Sequence, residues 1–238
     1  MRKILSLLRA VIQSFISALN RNNHPKKPIT DPVRKARIQE PEFSEAEIVK
    51  PDTFKPIDYR DLMPTHKNKN RVFKVRDILK IDTIIVHQAM SKGTLRGVAN
   101  YHRTPTRNDN GLIIRNHLSN KGAPGICYHI GIEMDDDATV KWLNDWNLRV
   151  WGVRGMNGRT IHILVMGDFP GVGYAGKHNP SVNQLKNLYK TIEFVKQRFT
   201  GIGNRVFGHN KFGKLACPGY EIENTLNNIR DQINVGDF

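Results

Sequence analysis

The sequence predicts an α/β domain in which a central mixed β-sheet is flanked by helices. Two observations support this fold class: short β-branched runs typical of buried strands, and segments between them whose apolar residues recur at helical spacing. The first clear strand covers residues 83–86 (Thr-Ile-Ile-Val), and the most regular helical pattern covers residues 181–199. Such patterns begin only after about residue 71, so we expect one folded domain over residues 71–238.

The other predicted elements are apolar runs bounded by polar or glycine-rich residues. In chain order they are a helix at 95–102, an exposed loop at 108–125, a strand at 126–134, a turn at 135–137, a hairpin strand at 139–143, a strand at 160–166, the helix at 181–199, a strand at 205–208 and a helix at 221–233. Ser181 is a natural N-cap for the long helix, because its hydroxyl can accept a backbone N–H.

The first 70 residues differ in composition, and we expect two further segments there. Apolar residues in 1–20 recur at three- and four-residue steps, which is typical of an amphipathic helix. We expect this helix to contact a membrane surface, a virion or a second copy of the chain. A weak export signal and a simple docking helix are the alternatives. Residues 21–70 are basic and proline-rich, which favours an extended linker.

Much of the formal net charge of +15 lies in the N-terminal part of the chain, where residues 1–80 carry 18 Lys or Arg against nine Asp or Glu. A basic chain attracts any polyanion, including nucleic acid, an anionic membrane or a cell wall that bears phosphate and carboxylate groups. Charge alone does not choose among these. The sequence has no recognition motif and no aromatic-basic stacking pattern, so we expect no specific nucleic-acid partner.

Three residues of metal-binding type stand at the ends of predicted elements. His87 ends the first strand, His209 follows the last strand, and Cys217 lies in the loop beyond it. Adjacent strand ends in one sheet would bring the two imidazoles together, and the loop would return the thiolate to them. Zinc accepts these ligands and keeps a fourth position for water in catalytic sites. A disulfide between Cys217 and Cys127, the other cysteine, is the alternative.

Four segments give these residues a specific context. IIVHQA, GICYHIGIEMDDDATV, MNGRTIHILVMGD and VFGHNKFGKLACPG occur in that order. Together they resemble the zinc-dependent N-acetylmuramoyl-L-alanine amidase family, which includes amidase-type phage lysozymes and peptidoglycan recognition proteins. The resemblance covers Asp82 to Ile233. It implies the fold of that family, a Zn²⁺ cofactor, and hydrolysis of the bond between N-acetylmuramic acid and L-alanine in peptidoglycan by a zinc-activated water.

The resemblance also implies roles for individual residues. His87, His209 and Cys217 correspond to the three zinc ligands. Tyr128 corresponds to a tyrosine that assists catalysis, by orienting the water or by giving a proton to the leaving amine. Asn157 corresponds to an asparagine that precedes the next strand, and we expect it to contact substrate.

Two positions depart from the family pattern. The family often has a lysine two residues before its third ligand, but Leu215 stands there and the nearest lysine is Lys214. We expect Lys214 to take over the role of that lysine, which polarises the substrate carbonyl. The family also usually has a histidine in the stretch before Asn157. Trp151 stands there instead, and we expect it to contribute to substrate binding.

The remaining histidines and Cys127 lie outside the positions that the resemblance marks. We expect His129 to point away from Tyr128 and to be structural, because neighbouring strand residues face opposite sides. We expect Cys127 to be a buried thiol. We expect ordinary surface positions for the histidines without a motif, which are His102, His117, His162 and His178.

The biological setting follows from the same resemblance. We expect an enzyme that acts on the bacterial cell wall as a phage endolysin or a virion-associated lytic component, made in the host cytoplasm or carried in the virion. The N-terminus has no convincing signal-peptide cleavage site. The alternatives are a bacterial wall-recycling or autolytic amidase, a non-catalytic peptidoglycan-binding module of the same fold and, least favoured, a basic nucleic-acid-binding protein.

Overall fold

The computed structural model describes residues 54–108, 110–115 and 118–235. The strands and helices of these residues, in chain order, are β1 (Ile57–Asp58), β2 (Lys74–Val75), β3 (Thr83–Gln88), α1 (Leu95–Arg103), β4 (Thr106–Arg107), β5 (Ile113–Arg115), β6 (Ile130–Ile132), β7 (Val140–Trp142), β8 (Leu148–Arg149), β9 (Thr160–Val165), α2 (Val182–Arg198), β10 (Val206–Gly208) and α3 (Tyr220–Val235). Short 3-10 helices cover Arg60–Leu62, Ile78–Lys80, Thr200–Ile202 and His209–Phe212.

Six of these strands form one mixed sheet, in the spatial order β1-β7-β6-β9-β3-β10. The four strands β6, β9, β3 and β10 run parallel, whereas β7 is antiparallel to β6. The predicted central mixed sheet is therefore confirmed. Two small antiparallel pairs, β2 with β8 and β4 with β5, lie outside it.

The two central strands are buried on both faces, which explains their almost continuous apolar sequences. Every residue of β3 and of β9 is buried. On one face, Ile161 and Ile163 of β9 join the main hydrophobic core, which also contains Leu188 of α2 and Leu226 of α3. On the other face, Leu164 belongs to a second cluster with α1. Because successive residues of a strand alternate, polar residues within β3 and β9 lie in the interior of the protein.

The helices and strands predicted from the sequence are present, with small differences at their ends. The loop predicted at 108–125 is not exposed throughout, because it contains β5 and its residues 122–125 are buried. Ser181 caps α2 as expected and forms a capping box with Gln184. The largest difference is in the strand predicted at 126–134, which is reduced to β6. The side chain of Asn144 donates to the carbonyl oxygens of Ile126 and Tyr128, so these residues have a side-chain partner instead of a strand partner.

The folded domain begins earlier than the predicted boundary at residue 71. Residues 57 and 58 form β1, which pairs with β7 in the main sheet, and Met63 is buried beside α1. The assignment of residues 54–70 to a linker was therefore wrong, because two extended residues and one buried side chain give too weak a pattern to recognise. The predicted helix at 1–20 and the rest of the linker lie outside the described residues. Within the described part, no helix has both the length and the apolar character needed to cross a bilayer.

Asp82 joins the amino-terminal ends of three neighbouring parallel strands. It precedes β3 and accepts hydrogen bonds from Arg159, which precedes β9, and its carboxylate lies 3.0 Å from Nη1 of Arg205, which precedes β10. The bonds from Arg159 are the main reason why the pKa of the Asp82 carboxyl is lowered.

We expect Asp82→Asn to lower the free energy of unfolding by about 1 kcal/mol at pH 7, the upper range for ion pairs near a surface. The pKa of Asp82 is lower in the folded state, so its contribution is present above the unfolded value of about 3.9 and is lost as the pH falls through the folded value. Urea unfolding at pH 7 and at pH 2 tests this. The exposed Asp61→Asn variant is the control, and equal losses for both variants at pH 7 would contradict the prediction.

Candidate metal centre

His87 lies near the carboxyl end of β3, on the face opposite to Ile84 and Val86. The strand alternation that sends these apolar residues into the main core sends the imidazole to the other side of the sheet. The side chain is 1% exposed. Its ring faces three other rings, those of Tyr128, His162 and His209, at centroid distances of 5.0, 5.2 and 4.5 Å.

His209 reaches the same place from the neighbouring strand. β10 pairs in parallel with β3, with Gly208 opposite Val86, so the residue after β10 lies beside His87. The Nδ1 atoms of His87 and His209 are 3.0 Å apart although the residues are 122 positions apart in sequence. Gly208 has to be small here, because an added Cβ would lie 2.5 Å from the ring of Pro218.

Cys217 completes the group from the loop after the 3-10 helix His209–Phe212. One ligand atom from each of His87, His209 and Cys217 lies within 4.8 Å of the other two. The backbone N–H of Gln88 donates to the Cys217 Sγ at 3.3 Å. The structure thus brings together all three residues that the sequence analysis named as ligands, and Cys217 and Cys127 are both free thiols.

Gln88 holds this loop in place from the opposite face of β3. Its Nε2 donates to the carbonyl oxygens of Phe169 and Ala216, at 3.1 and 2.7 Å, and its Oε1 accepts from the Phe169 N–H at 2.7 Å. Ala216 is adjacent to Cys217. The side chain of Gln88 therefore fixes the backbone that carries the sulfur, while its own N–H contacts the sulfur directly.

Burial keeps His87 and Cys217 uncharged before metal binding. Desolvation lowers the pKa of His87 well below its usual value, and the neighbouring imidazoles of His162 and His209 lower it further. Burial raises the pKa of the Cys217 thiol to about 12, although the N–H of Gln88 and the charge of Lys214 act in the opposite direction. Neutral imidazoles are ready to bind a metal ion, whereas the thiol has to release a proton when it binds.

Tyr128 and Lys214, the two residues for which the sequence analysis expects catalytic roles, lie near these ligands. Tyr128 precedes β6, and burial raises the pKa of its phenol, so its hydroxyl stays protonated at neutral pH. Lys214 is exposed on the loop and its charge acts on Cys217. The carbonyl oxygen of Lys214 also accepts the Cys217 N–H at 2.8 Å.

Trp151 and Asn157 line a surface cleft of about 310 Å³, which is also lined by Val72, Lys74 and Arg149. The indole packs edge-to-face on Phe73 and lies 5.5 Å from the guanidinium carbon of Arg71. Two cations and an aromatic ring make this cleft suitable for an anionic, partly apolar group.

The sequence comparison decides the family. The profile of the N-acetylmuramoyl-L-alanine amidase family matches residues 77–220, which include every strand of the parallel part of the sheet and all three candidate ligands. The chain belongs to the N-acetylmuramoyl-L-alanine amidase family. No curated protein matches its sequence significantly.

Solved structures of this amidase fold agree with the match. N-acetylmuramoyl-L-alanine amidase LysC from Clostridium intestinale is 17% identical, with 76% of this chain and 99% of that chain covered and a TM-score of 0.53. The Ph2119 endolysin from a Thermus scotoductus bacteriophage is 17% identical, with coverage of 74% and 99% and a TM-score of 0.51. Bumblebee peptidoglycan recognition protein SA is 17% identical, with coverage of 73% and 94% and a TM-score of 0.52. At this identity the likeness establishes the fold.

Sequence reasoning missed two residues of the candidate metal centre, Gln88 and His162. The expectation of a surface position for His162 was wrong, because the side chain is fully buried and its Nδ1 lies 3.1 Å from Nε2 of His87. The position of this histidine inside the apolar run of β9 could have indicated that it is buried. His102 is also buried rather than exposed, and its Nδ1 accepts the N–H of Cys127.

We expect Gln88→Met to weaken metal binding by more than tenfold, because the loop that carries Cys217 loses its bond at Ala216 and the neighbouring backbone of Phe169 loses two more. Unsatisfied buried groups cost about 1–3 kcal/mol each, so the variant also loses stability. Absorption of bound Co²⁺ during titration of the metal-free protein measures the affinity.

Gln184→Met is the matched control. Gln184 is another buried glutamine with three hydrogen bonds to backbone groups, those of Glu133, Met166 and Ser181, but it lies on α2. We expect it to lower stability to a similar extent without changing Co²⁺ affinity. Equal affinities for both variants would show that Gln88 does not hold the site.

Proposed function

We propose that this chain is a zinc-dependent amidase that hydrolyses the bond between N-acetylmuramic acid and L-alanine in bacterial peptidoglycan. The convergence of His87, His209 and Cys217 at the carboxyl ends of adjacent parallel strands carries the proposal. Open α/β sheets commonly bind their ligands at this edge. The family match spans the same residues.

The three side chains suit zinc better than the other common divalent ions. Two imidazoles and one thiolate are nitrogen and sulfur donors, whereas magnesium and calcium prefer oxygen. Catalytic zinc sites usually have three protein ligands, whereas structural zinc sites have four. When bound, zinc supplies a Lewis acid and lowers the pKa of water toward about 7.

Tyr128 and Lys214 supply the polar groups that amide hydrolysis needs around the metal. The neutral phenol of Tyr128 can orient water or donate a proton to the leaving amine, and its ring lies beside that of His87. The ammonium of Lys214 can stabilise the negative charge that develops on the carbonyl oxygen. Lys74 and Arg149, in the cleft beside Trp151 and Asn157, can attract the carboxylates of peptidoglycan.

We also propose that the enzyme serves a phage, as an endolysin or as a lytic component of a virion. The similarity of fold to a bacteriophage endolysin and the basic, amphipathic pattern of residues 1–20 support this setting. In that setting the N-terminal segment contacts the membrane or the virion, and the domain acts on the cell wall.

A non-catalytic peptidoglycan-binding role is the second candidate. Leu215, which is 61% exposed, stands at the position where the family often has its lysine. If neither Lys214 nor another group replaces that lysine, the domain would bind the wall without cutting it. Retention of the full ligand set favours the enzyme.

Digestion of purified peptidoglycan tests the proposal directly. We expect new L-alanine amino termini to appear with the wild-type protein, and to be absent after chelation and with Cys217→Ser, because both remove the metal. Cys127→Ala is the matched control: Cys127 is the other buried cysteine, lies outside the ligand group and should leave activity intact. New sugar reducing ends would contradict the amidase assignment, and wall binding without any cleavage would favour the second candidate.

We expect Lys214→Ala to lower kcat about 10²-fold, the usual effect of removing a group that stabilises an oxyanion. Lys211→Ala is the control, since Lys211 is on the same loop but pairs with Glu223. Initial rates of amino-terminus release measure both variants. An unchanged rate for Lys214→Ala would assign the stabilisation of the oxyanion to another group.

A further inference from the structure

Three side chains form a hydrogen-bonded row that begins at His87 and leads away from the metal centre. Nε2 of His87 lies 3.1 Å from Nδ1 of His162, and Nε2 of His162 lies 3.2 Å from Oδ1 of Asn157. We propose that His162 and Asn157 are positioning residues that hold His87 in the tautomer and orientation needed to bind metal through Nδ1. The inference rests on the proposed zinc enzyme and adds two residues to its site.

The backbone of Val153 sets the direction of the row. Its N–H donates to Oδ1 of Asn157 at 2.8 Å, which identifies this atom as the amide oxygen, an acceptor only. The Nε2 of His162 therefore has to carry the proton that Oδ1 accepts. A neutral imidazole has one N–H, so Nδ1 of His162 is an acceptor.

The direction of this row also determines the tautomer of His87. Because Nδ1 of His162 accepts, Nε2 of His87 has to be the donor, and Nδ1 of His87 has a free lone pair. This Nδ1 is the atom that lies 3.0 Å from Nδ1 of His209. In the reverse arrangement, Nε2 of His162 and Oδ1 of Asn157 would both be acceptors facing each other at 3.2 Å, which is unfavourable.

The surroundings of His162 keep its ring from turning. The side chain is fully buried on β9, and the backbone N–H of His162 donates to Nδ1 of His129. Gly152 lies against the ring, since an added Cβ there would be 2.3 Å from Nδ1 of His162. Ile85 is the register partner of His162 in β3, so His87 is its diagonal neighbour on the same face of the sheet. Packing therefore leaves the imidazole little freedom, as expected of a group that orients a ligand.

Metal affinity of the apoprotein separates positioning from packing. Loss of an outer hydrogen-bond partner of a ligand typically weakens metal binding 10- to 100-fold. We expect His162→Leu to weaken Zn²⁺ and Co²⁺ binding by this factor. We expect His162→Asn to recover much of the affinity, because its Oδ1 can stand near the former Nδ1 and accept from His87. The matched control is Ile163→Ala, on the opposite face of β9, which should lose stability without losing affinity.

Long-range ¹⁵N NMR of the metal-free wild-type protein gives a second measurement that needs no variant to fold. We expect His87 and His162 both to carry their proton on Nε2. A proton on Nδ1 of either ring would overturn the proposal, as would a His162→Leu variant that is folded and binds Zn²⁺ within twofold of wild type.

These outcomes are distinct from failure of the proposed function. A wild-type protein that binds no Zn²⁺ would refute the zinc enzyme, whereas the NMR result would still report the direction of the hydrogen-bonded row. A wild-type protein that binds Zn²⁺ and releases L-alanine termini, but whose affinity is insensitive to His162→Leu, would refute only the positioning role.

Discussion

The parallel pairing of β3 with β9 on one side and β10 on the other determines the geometry of the site. This pairing places the carboxyl ends of the strands at one edge of the sheet, where His87 and His209 come within 3.0 Å of each other. At the opposite ends, Asp82 joins the segments that precede the three strands. Slippage by one residue would turn His87 toward the main hydrophobic core, so the apolar alternation of β3 also fixes the position of the ligand.

Buried polar groups continue from the metal centre toward the amino-terminal ends of the strands. Arg76 is buried and donates to the carbonyl oxygens of Trp146 and Thr160 and contacts the ring of His129. Burial lowers the pKa of the guanidinium to about 10, and its charge contributes to lowering the pKa of His129 and His162. Because each of these groups has hydrogen-bond partners, the network holds the imidazoles in fixed orientations.

The sequence predicted most of the fold and the clustering of His87, His209 and Cys217, because both leave local signals. Buried parallel strands are apolar runs, Ser181 begins a regular helix, and three metal-binding residues stand next to element ends. The contacts of the remaining residues depend on which strands are neighbours in the sheet. No local sequence pattern reveals the order of the strands. His162 touches His87 only because β9 pairs with β3, and β1 joins the sheet through only two residues. The role of Gln88 was hidden for the same reason, since its partners at 169 and 216 are distant in sequence.

The order of strands in the sheet has a consequence for how the domain is made. β3 is an early strand, but both of its neighbours are synthesised much later, and the sulfur beside Gln88 is 129 positions further along the chain. Contacts between such distant segments slow folding, since long loops must close before the contacts can form. During translation, the apolar strand β3 therefore remains unpaired until β9 and β10 have been synthesised. A truncated chain that ends before residue 217 lacks Cys217, so incomplete copies would not assemble the candidate metal centre.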